Sequence, residues 1–330
     1  MVQASQSESN GSDPKARLCA NCGSELKGPY CWYCGQPTRS FIKFFPALVR
    51  EVAADTLNYD SRMWRTLKPL MFSPGLLSRE YVFGRRARYT SPFRLYIIIS
   101  LLTFLMVGFL LGSVDFSSGM GTGTEVREVQ RSQPIEDRDD PINVFGQEWD
   151  REESPVTVGF LGTRGNAWLN DQIERLVVNS RRIQDDPGLF IHAIAGMLPQ
   201  MMFIMLPLFA VVVTVFYLFS GRYYVEHLVF LVHNHAFIFM VMLLSWALSL
   251  ITGSLQAAQF PLSDWIAQVP RWTNIILWWW IPVYLLIAMK RFYRQGWILT
   301  VIKYFILAWA YTMLFMVATA VVAVLGILGL

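Results

Sequence analysis

Long apolar runs alternate with charged stretches along this chain, and the runs set its architecture. Five of them reach or approach the roughly 20 residues that a helix needs to cross a bilayer. They are Phe93–Leu111, Ile191–Phe219, Leu228–Ile251, Ile275–Met289 and Val301–Leu330. The fourth is short at its apolar core, but Trp272 and Phe292–Tyr293 extend it into the interface. The pattern predicts an all-α integral membrane protein with about five transmembrane helices, over 93–113, 191–219, 228–251, 272–289 and 301–330. Residues 1–18 are Ser-rich and polar and read as a disordered lead without a cleavable signal, so the first membrane helix serves as its own uncleaved signal.

Charge sharpens this picture. The chain is 54% hydrophobic and 16% charged, against about 25% charged in a soluble domain, and almost no charge follows Pro187. Before Leu95, 14 Lys/Arg face 7 acids; residues 114–190 hold 8 against 15. Short loops rich in Lys and Arg stay in the cytoplasm. The N-terminus is therefore expected inside, and the acidic 114–190 loop and the C-terminus outside. The net charge of +4 reflects this division and does not point to nucleic acid.

All four cysteines fall in two C-x-x-C-G pairs, Cys19/Cys22 and Cys31/Cys34. Zinc takes four ligands in a tetrahedron and favours thiolate. A two-residue gap lets both sulfurs of a tight turn reach one ion, and the following Gly accepts the positive φ such turns demand. The eight-residue gap between pairs, holding Gly28-Pro29, suffices for a small hairpin. Residues 19–40 are thus expected to form a zinc ribbon with Cys19, Cys22, Cys31 and Cys34 as ligands and a structural ion. Two disulfides, a redox pair and iron in the same cage are the alternatives. A reducing cytoplasm opposes the first, and nothing nearby resembles the βαβ setting of the second.

Residues 41–92 read as cytosolic or interfacial helices. Phe41–Leu57 has helical apolar spacing, Asp60-Ser61 could cap a helix through Leu70, and Ser73-Pro74 marks a third start that Gly84 ends. Arg85, Arg86 and Arg88 follow. They read as the positive-inside anchor of the first membrane helix or, more specifically, as a basic cluster for anionic lipid. In the outer loop, 167–184 is amphipathic, with Leu169, Ile173, Leu176, Val177 and Ile183 on one face. Pro199 and Pro207 bend the second membrane helix. Three successive tryptophans, 278–280, point all round the fourth and read as an interface feature. Ala320, Ala323 and Gly326 favour close helix packing, internal or between copies of the chain.

The stretch from Tyr223 to Phe237 carries three of the four histidines and Glu226, one of two carboxylates after Asp186. Ionisable groups are costly at membrane depth. On a helix, Tyr223, Glu226 and His233 share a face, whereas His227 and His235 point elsewhere, so one ion would need a ligand from another helix. Tyr223, Glu226, His227 and His233 are the candidate polar membrane site. The bland reading places Glu226 and His227 at the headgroups and bonds His233 and His235 to neighbouring helices. Haem lacks a convincing opposed histidine pair.

Taken together, Cys19-x-x-Cys22-Gly…Cys31-x-x-Cys34-Gly-Gln36, Thr66-Leu67, Pro74-Gly75, Arg79-x-Tyr81-x-x-Gly84-Arg85-Arg86-x-x-Tyr89-x-x-Pro92 and Tyr224-x-Glu226-His227-Leu-x-Phe230 resemble an uncharacterised family of bacterial inner-membrane proteins. That family is a domain of unknown function with an N-terminal zinc ribbon. The resemblance implies fold and location and supplies no reaction. Three functions follow as expectations. The first is a non-enzymatic adaptor or regulator whose ribbon binds a cytosolic protein. The second is an ion, metal or small-molecule transporter lined by Glu226, His227 and His233. The weakest is an enzyme acting on lipid.

Overall fold

A computed structural model describes residues 18–37, 62–113, 142–144, 147–150, 153–185, 187–258 and 263–329. The polar lead, the expected Phe41–Leu57 helix, the Asp60-Ser61 cap and most of the acid-rich part of the outer loop lie outside these residues. The elements are α1 (Arg62–Phe72), α2 (Leu76–Val82), α3 (Pro92–Ser113), β1 (Ile142–Val144), β2 (Gln147–Trp149), α4 (Gly162–Asp185), α5 (Pro187–Phe216), α6 (Tyr224–Ala257), α7 (Ser263–Tyr293) and α8 (Trp297–Leu328). Among the described residues the structure is helical apart from one small antiparallel hairpin, which pairs Ile142 with Trp149. Among the described residues five helices, α3 and α5 to α8, are long and apolar enough to cross a membrane, as the apolar runs predict.

The chain divides into two compact units. One comprises residues 1–99 and 210–306, and α6 is its centre. Every residue from His227 to Phe237 is buried, so this stretch of α6 is enclosed on all sides. The α7 helix runs antiparallel to it. Phe230 stacks on Phe292 with centroids 4.7 Å apart, Phe237 stacks on Tyr284 at 3.6 Å, and the Ser245 hydroxyl donates to Asn274 Oδ1 at 2.6 Å. Lipid tails are as apolar as these side chains, so close packing and polar contacts hold such helices together rather than exclusion of water. The tryptophan triplet divides: Trp278 Nε1 donates to Ser245 Oγ and Trp280 Nε1 to the Met71 carbonyl, each at 3.0 Å, while Trp279 and much of the Trp278 ring are exposed.

The short α1 and α2 lean on this pair. Tyr81 packs with Val225 and Val229 of α6. The start of α2 differs from the Ser73-Pro74 expectation. Gly75, in the left-handed region at φ 73°, occupies the N-cap and the helix begins at Leu76. The reason is tertiary: a Cβ at Gly75 would lie 2.8 Å from the Ala288 carbonyl oxygen of α7. Only glycine offers both that φ and that approach.

The other unit comprises residues 100–209 and 307–330. Antiparallel α5 and α8 form its core through Met201, Met205 and Val322, with Phe209 edge-on to Tyr311 at 5.0 Å. Gly326 comes close enough to α5 that a Cβ there would lie 3.7 Å from that of Ala193. The helix expected over 167–184 begins five residues earlier, at Gly162. Asn166 holds the preceding turn by accepting the Val158 N–H at 2.8 Å and donating to the Val158 carbonyl at 3.3 Å. Asn170 repeats this with Val156 and also accepts Trp149 Nε1. Asn179 Nδ2 donates to the Ile327 carbonyl at 2.7 Å, tying α4 to α8.

Candidate functional site

The two cysteine pairs build identical turns. In the first, the Cys19 N–H donates to the Ser24 carbonyl and the Gly23 N–H to the Cys19 carbonyl; in the second, Cys31 does the same with Gln36 and Gly35, all four bonds at 2.8 Å. Gly23 and Gly35 stand at φ 78° and 70°, the conformation their position after the second cysteine demands. The turns face each other so that all four Sγ atoms lie within 4.8 Å of one another. Cys19 to Cys34 is 3.7 Å and Cys22 to Cys31 is 3.5 Å. Bonds of about 2.3 Å in a tetrahedron place sulfurs about 3.8 Å apart, so the cage fits one metal ion. The thiols are free, which leaves the disulfide alternative without support.

Local hydrogen bonds already favour thiolate. The Cys34 backbone N–H leads in drawing Cys31 down from 9.0 to about 6, and the Ser24 hydroxyl, 2.7 Å from Cys22 Sγ, leads in lowering Cys22. Burial pushes Cys34 up to about 11. Gln36 fastens the cage to the neck. Gln36 Nε2 donates to the Gly84 carbonyl at 2.6 Å, and its Oε1 accepts the N–H groups of Arg86 and Ala87 at 3.1 and 3.3 Å. On the outward surface Tyr30, Trp32 and Tyr33 are 64–72% exposed.

The three singled-out arginines are engaged by the protein. Arg85 pairs with Glu80 at 3.3 Å. Arg86 Nε donates to the Tyr81 carbonyl and its guanidinium lies 4.7 Å from that ring's centre. Arg88 lies over Tyr89 at 5.7 Å.

The polar membrane residues take separate partners. Tyr223 is extended (φ −81°, ψ 151°) and caps α6 from outside, so it does not share the helical face with Glu226 that regular spacing suggests. Glu226 accepts Arg222 at 3.0 Å, and Arg222 also donates to the Phe292 carbonyl and lies over the Phe292 ring. His227 Nδ1 is 2.8 Å from the Tyr293 hydroxyl, whose ring stacks on Tyr217 at 3.6 Å. His233 Nδ1 meets the Val229 carbonyl at 3.0 Å and Ser78 Oγ at 3.2 Å; His235 Nδ1 meets the Leu231 carbonyl at 2.9 Å. A ring nitrogen facing a carbonyl carries the proton, so His233 and His235 donate back to their own helix. Among the described residues only the cysteines assemble three or more ligand-type groups at metal-binding distance.

Arg94 lies beyond the basic cluster in sequence. It lies in the first turn of α3, 7% exposed, while the signal that draws attention to it is visible in Ser91-Pro92-Phe93-Arg94-Leu95: an arginine inside the first turn of an apolar helix.

Fold and site together define a multi-pass helical membrane protein with a four-cysteine metal module on a short helical neck. The model of a family described as "Protein of unknown function (DUF3667)" matches residues 60–104, which span the neck and the first half of α3, so the chain is similar to that family there. Neither the curated proteins nor the solved structures contain a match.

Proposed function

We propose that this protein is an inner-membrane adaptor of bacteria whose zinc-loaded head recognises a cytosolic protein. The observation that carries the reading is the exposed Tyr30, Trp32 and Tyr33 surface on a head anchored to the neck. Aromatic side chains are enriched at interfaces, where they supply rigid contact area. Four thiolates that close a tetrahedron leave no open position for chemistry, which favours a structural ion and a binding role over catalysis. The basic neck, facing the side with most Lys and Arg, favours a cytoplasmic N-terminus and a periplasmic C-terminus. A lipid bilayer and a second copy of the chain remain further partners in this reading. Transport through Glu226, His227 and His233 is less well supported, because each is taken up by a different neighbour; lipid chemistry has still fewer candidate groups.

The test is site-specific photo-crosslinking from position 32 in cells, beside metal analysis of the purified full chain. One zinc per chain and a discrete protein adduct, lost in Tyr30→Ser/Tyr33→Ser while zinc is retained, is the expected result. Adducts to lipid alone would overturn the adaptor reading.

A further inference from the structure

Among the described residues Arg94 presents a charge without a counter-charge. Its residue is 7% exposed, its Nε is wholly buried without a partner, and no ion pair or hydrogen bond reaches its guanidinium among the described residues. Arginine does not escape by losing its proton, and a buried unpaired charge is strongly unfavourable. The two residues that open the same turn repeat the pattern. Thr90, also 7% exposed, and Ser91 each have a buried hydroxyl oxygen with no partner.

The turn is built and held. The Thr90 N–H donates to Thr66 Oγ1 at 3.0 Å, and Thr66 is fully buried. The Ser91 carbonyl accepts the Leu95 N–H at 3.0 Å, so the chain enters α3 in the regular way. The Ser91 hydroxyl, however, does not take the first-turn N–H groups that a capping serine normally satisfies. Side chains of a helix lean toward its N-terminus, the side on which Thr90 and Ser91 stand, four and three residues before Arg94. The positive end of a 22-residue helix adds to the same field.

We propose that the first turn of α3 binds a phosphate group, with the Arg94 guanidinium as counter-charge and the Thr90 and Ser91 hydroxyls as donors. A guanidinium, two hydroxyls and a helix N-terminus are the donor set that phosphate oxygens take. Because the first membrane span begins at Pro92, the phosphate can belong to a lipid headgroup or come free from solution. The site is distinct from the neighbouring arginines, which are engaged by Glu80, Tyr81 and Tyr89.

The test uses the full-length protein in a neutral maltoside detergent. Thermal unfolding is followed by tryptophan fluorescence during titration with dioctanoyl phosphatidylglycerol and, separately, with inorganic phosphate. Saturable stabilisation by the lipid alone assigns a headgroup; stabilisation by inorganic phosphate assigns the free anion. Arg94→Gln is expected to weaken the effective ligand about tenfold or more, and to melt no lower than wild type without ligand, because an uncompensated charge has been removed. Thr90→Val, which keeps the charge, should weaken the response severalfold and carries the test if Arg94→Gln does not fold. Arg88→Gln should leave it unchanged. No shift of the wild type with either ligand, a full response in Arg94→Gln or in Thr90→Val, or an equal loss in Arg88→Gln would overturn the proposal.

Discussion

Gly75→Ala tests whether α2 is seated on α7 as tightly as the geometry requires. Two costs add. Alanine in the left-handed region, where Gly75 stands at φ 73°, is disfavoured by about 1–2 kcal/mol. The new Cβ would also lie 2.8 Å from the Ala288 carbonyl oxygen and 3.2 Å from its Cα, well inside the roughly 3.5–4.0 Å that carbon contacts prefer. Ala288 is fully buried in α7 and its backbone cannot rotate away as a side chain could, so overpacking adds about 1–3 kcal/mol. The expected loss is about 2–5 kcal/mol. Gly221→Ala supplies the control. Its φ is 67° but nothing lies within 4 Å of its Cβ position, so only the backbone cost, about 1–2 kcal/mol, applies. Both changes stiffen the unfolded chain equally, which cancels in the comparison. Equilibrium unfolding in mixed micelles of rising dodecyl sulfate fraction measures the pair. If Gly75→Ala loses no more than Gly221→Ala, the close approach of α2 to α7 is wrong.

Gln36→Ala removes three hydrogen bonds to the backbone of residues 84–87; at about 0.5–1.5 kcal/mol each, it should speed hydrogen exchange at Arg86 and Ala87 severalfold while metal content stays unchanged. Arg222→Gln leaves Glu226 without its partner at 13% side-chain exposure and should cost about 3 kcal/mol, recovered in good part by adding Glu226→Gln; an equally unstable double variant would show that the pair is not the reason. In the metal-free head, Cys31 is depressed from 9.0 to about 6, so its contribution to stability is complete above pH 9 and is lost as pH falls through 6. Cys34, raised to about 11, contributes fully below pH 9 and loses its contribution as pH rises through 11. Loading the ion at pH 7 should therefore release fewer than four protons, counted by calorimetry in buffers of different ionisation heat; release of all four would contradict the lowered Cys31.

Features written in local signals were legible. The apolar runs announce five long helices, and a glycine after each C-x-x-C announces a left-handed turn, because both follow from composition and backbone sterics over a few residues. What escaped depends on distant neighbours. The α2 helix starts at Leu76 rather than Pro74 because Ala288, more than 200 positions away, admits only glycine at 75. His227 meets Tyr293, 66 positions on, and His233 meets Ser78 across 155, so the clustering of histidines in sequence does not become a cluster in space. The Arg222–Glu226 pair is different: its i,i+4 spacing is a local signal of the readable kind. Tyr223 fails for a backbone reason, since an extended residue leaves the helical face.

Gln36 belongs to two structures at once. Its main-chain carbonyl closes the second cysteine turn by accepting the Cys31 N–H, and its side chain holds the main chain at Gly84, Arg86 and Ala87. Any factor by which the ion steadies that turn, and so favours the seated head, must return as the same factor in the affinity of the seated head for the ion. A ligand that pries the head from the neck thereby loosens the metal, and a chelator loosens the head. The cell's metal supply and whatever competes for the neck are then two hands on one balance.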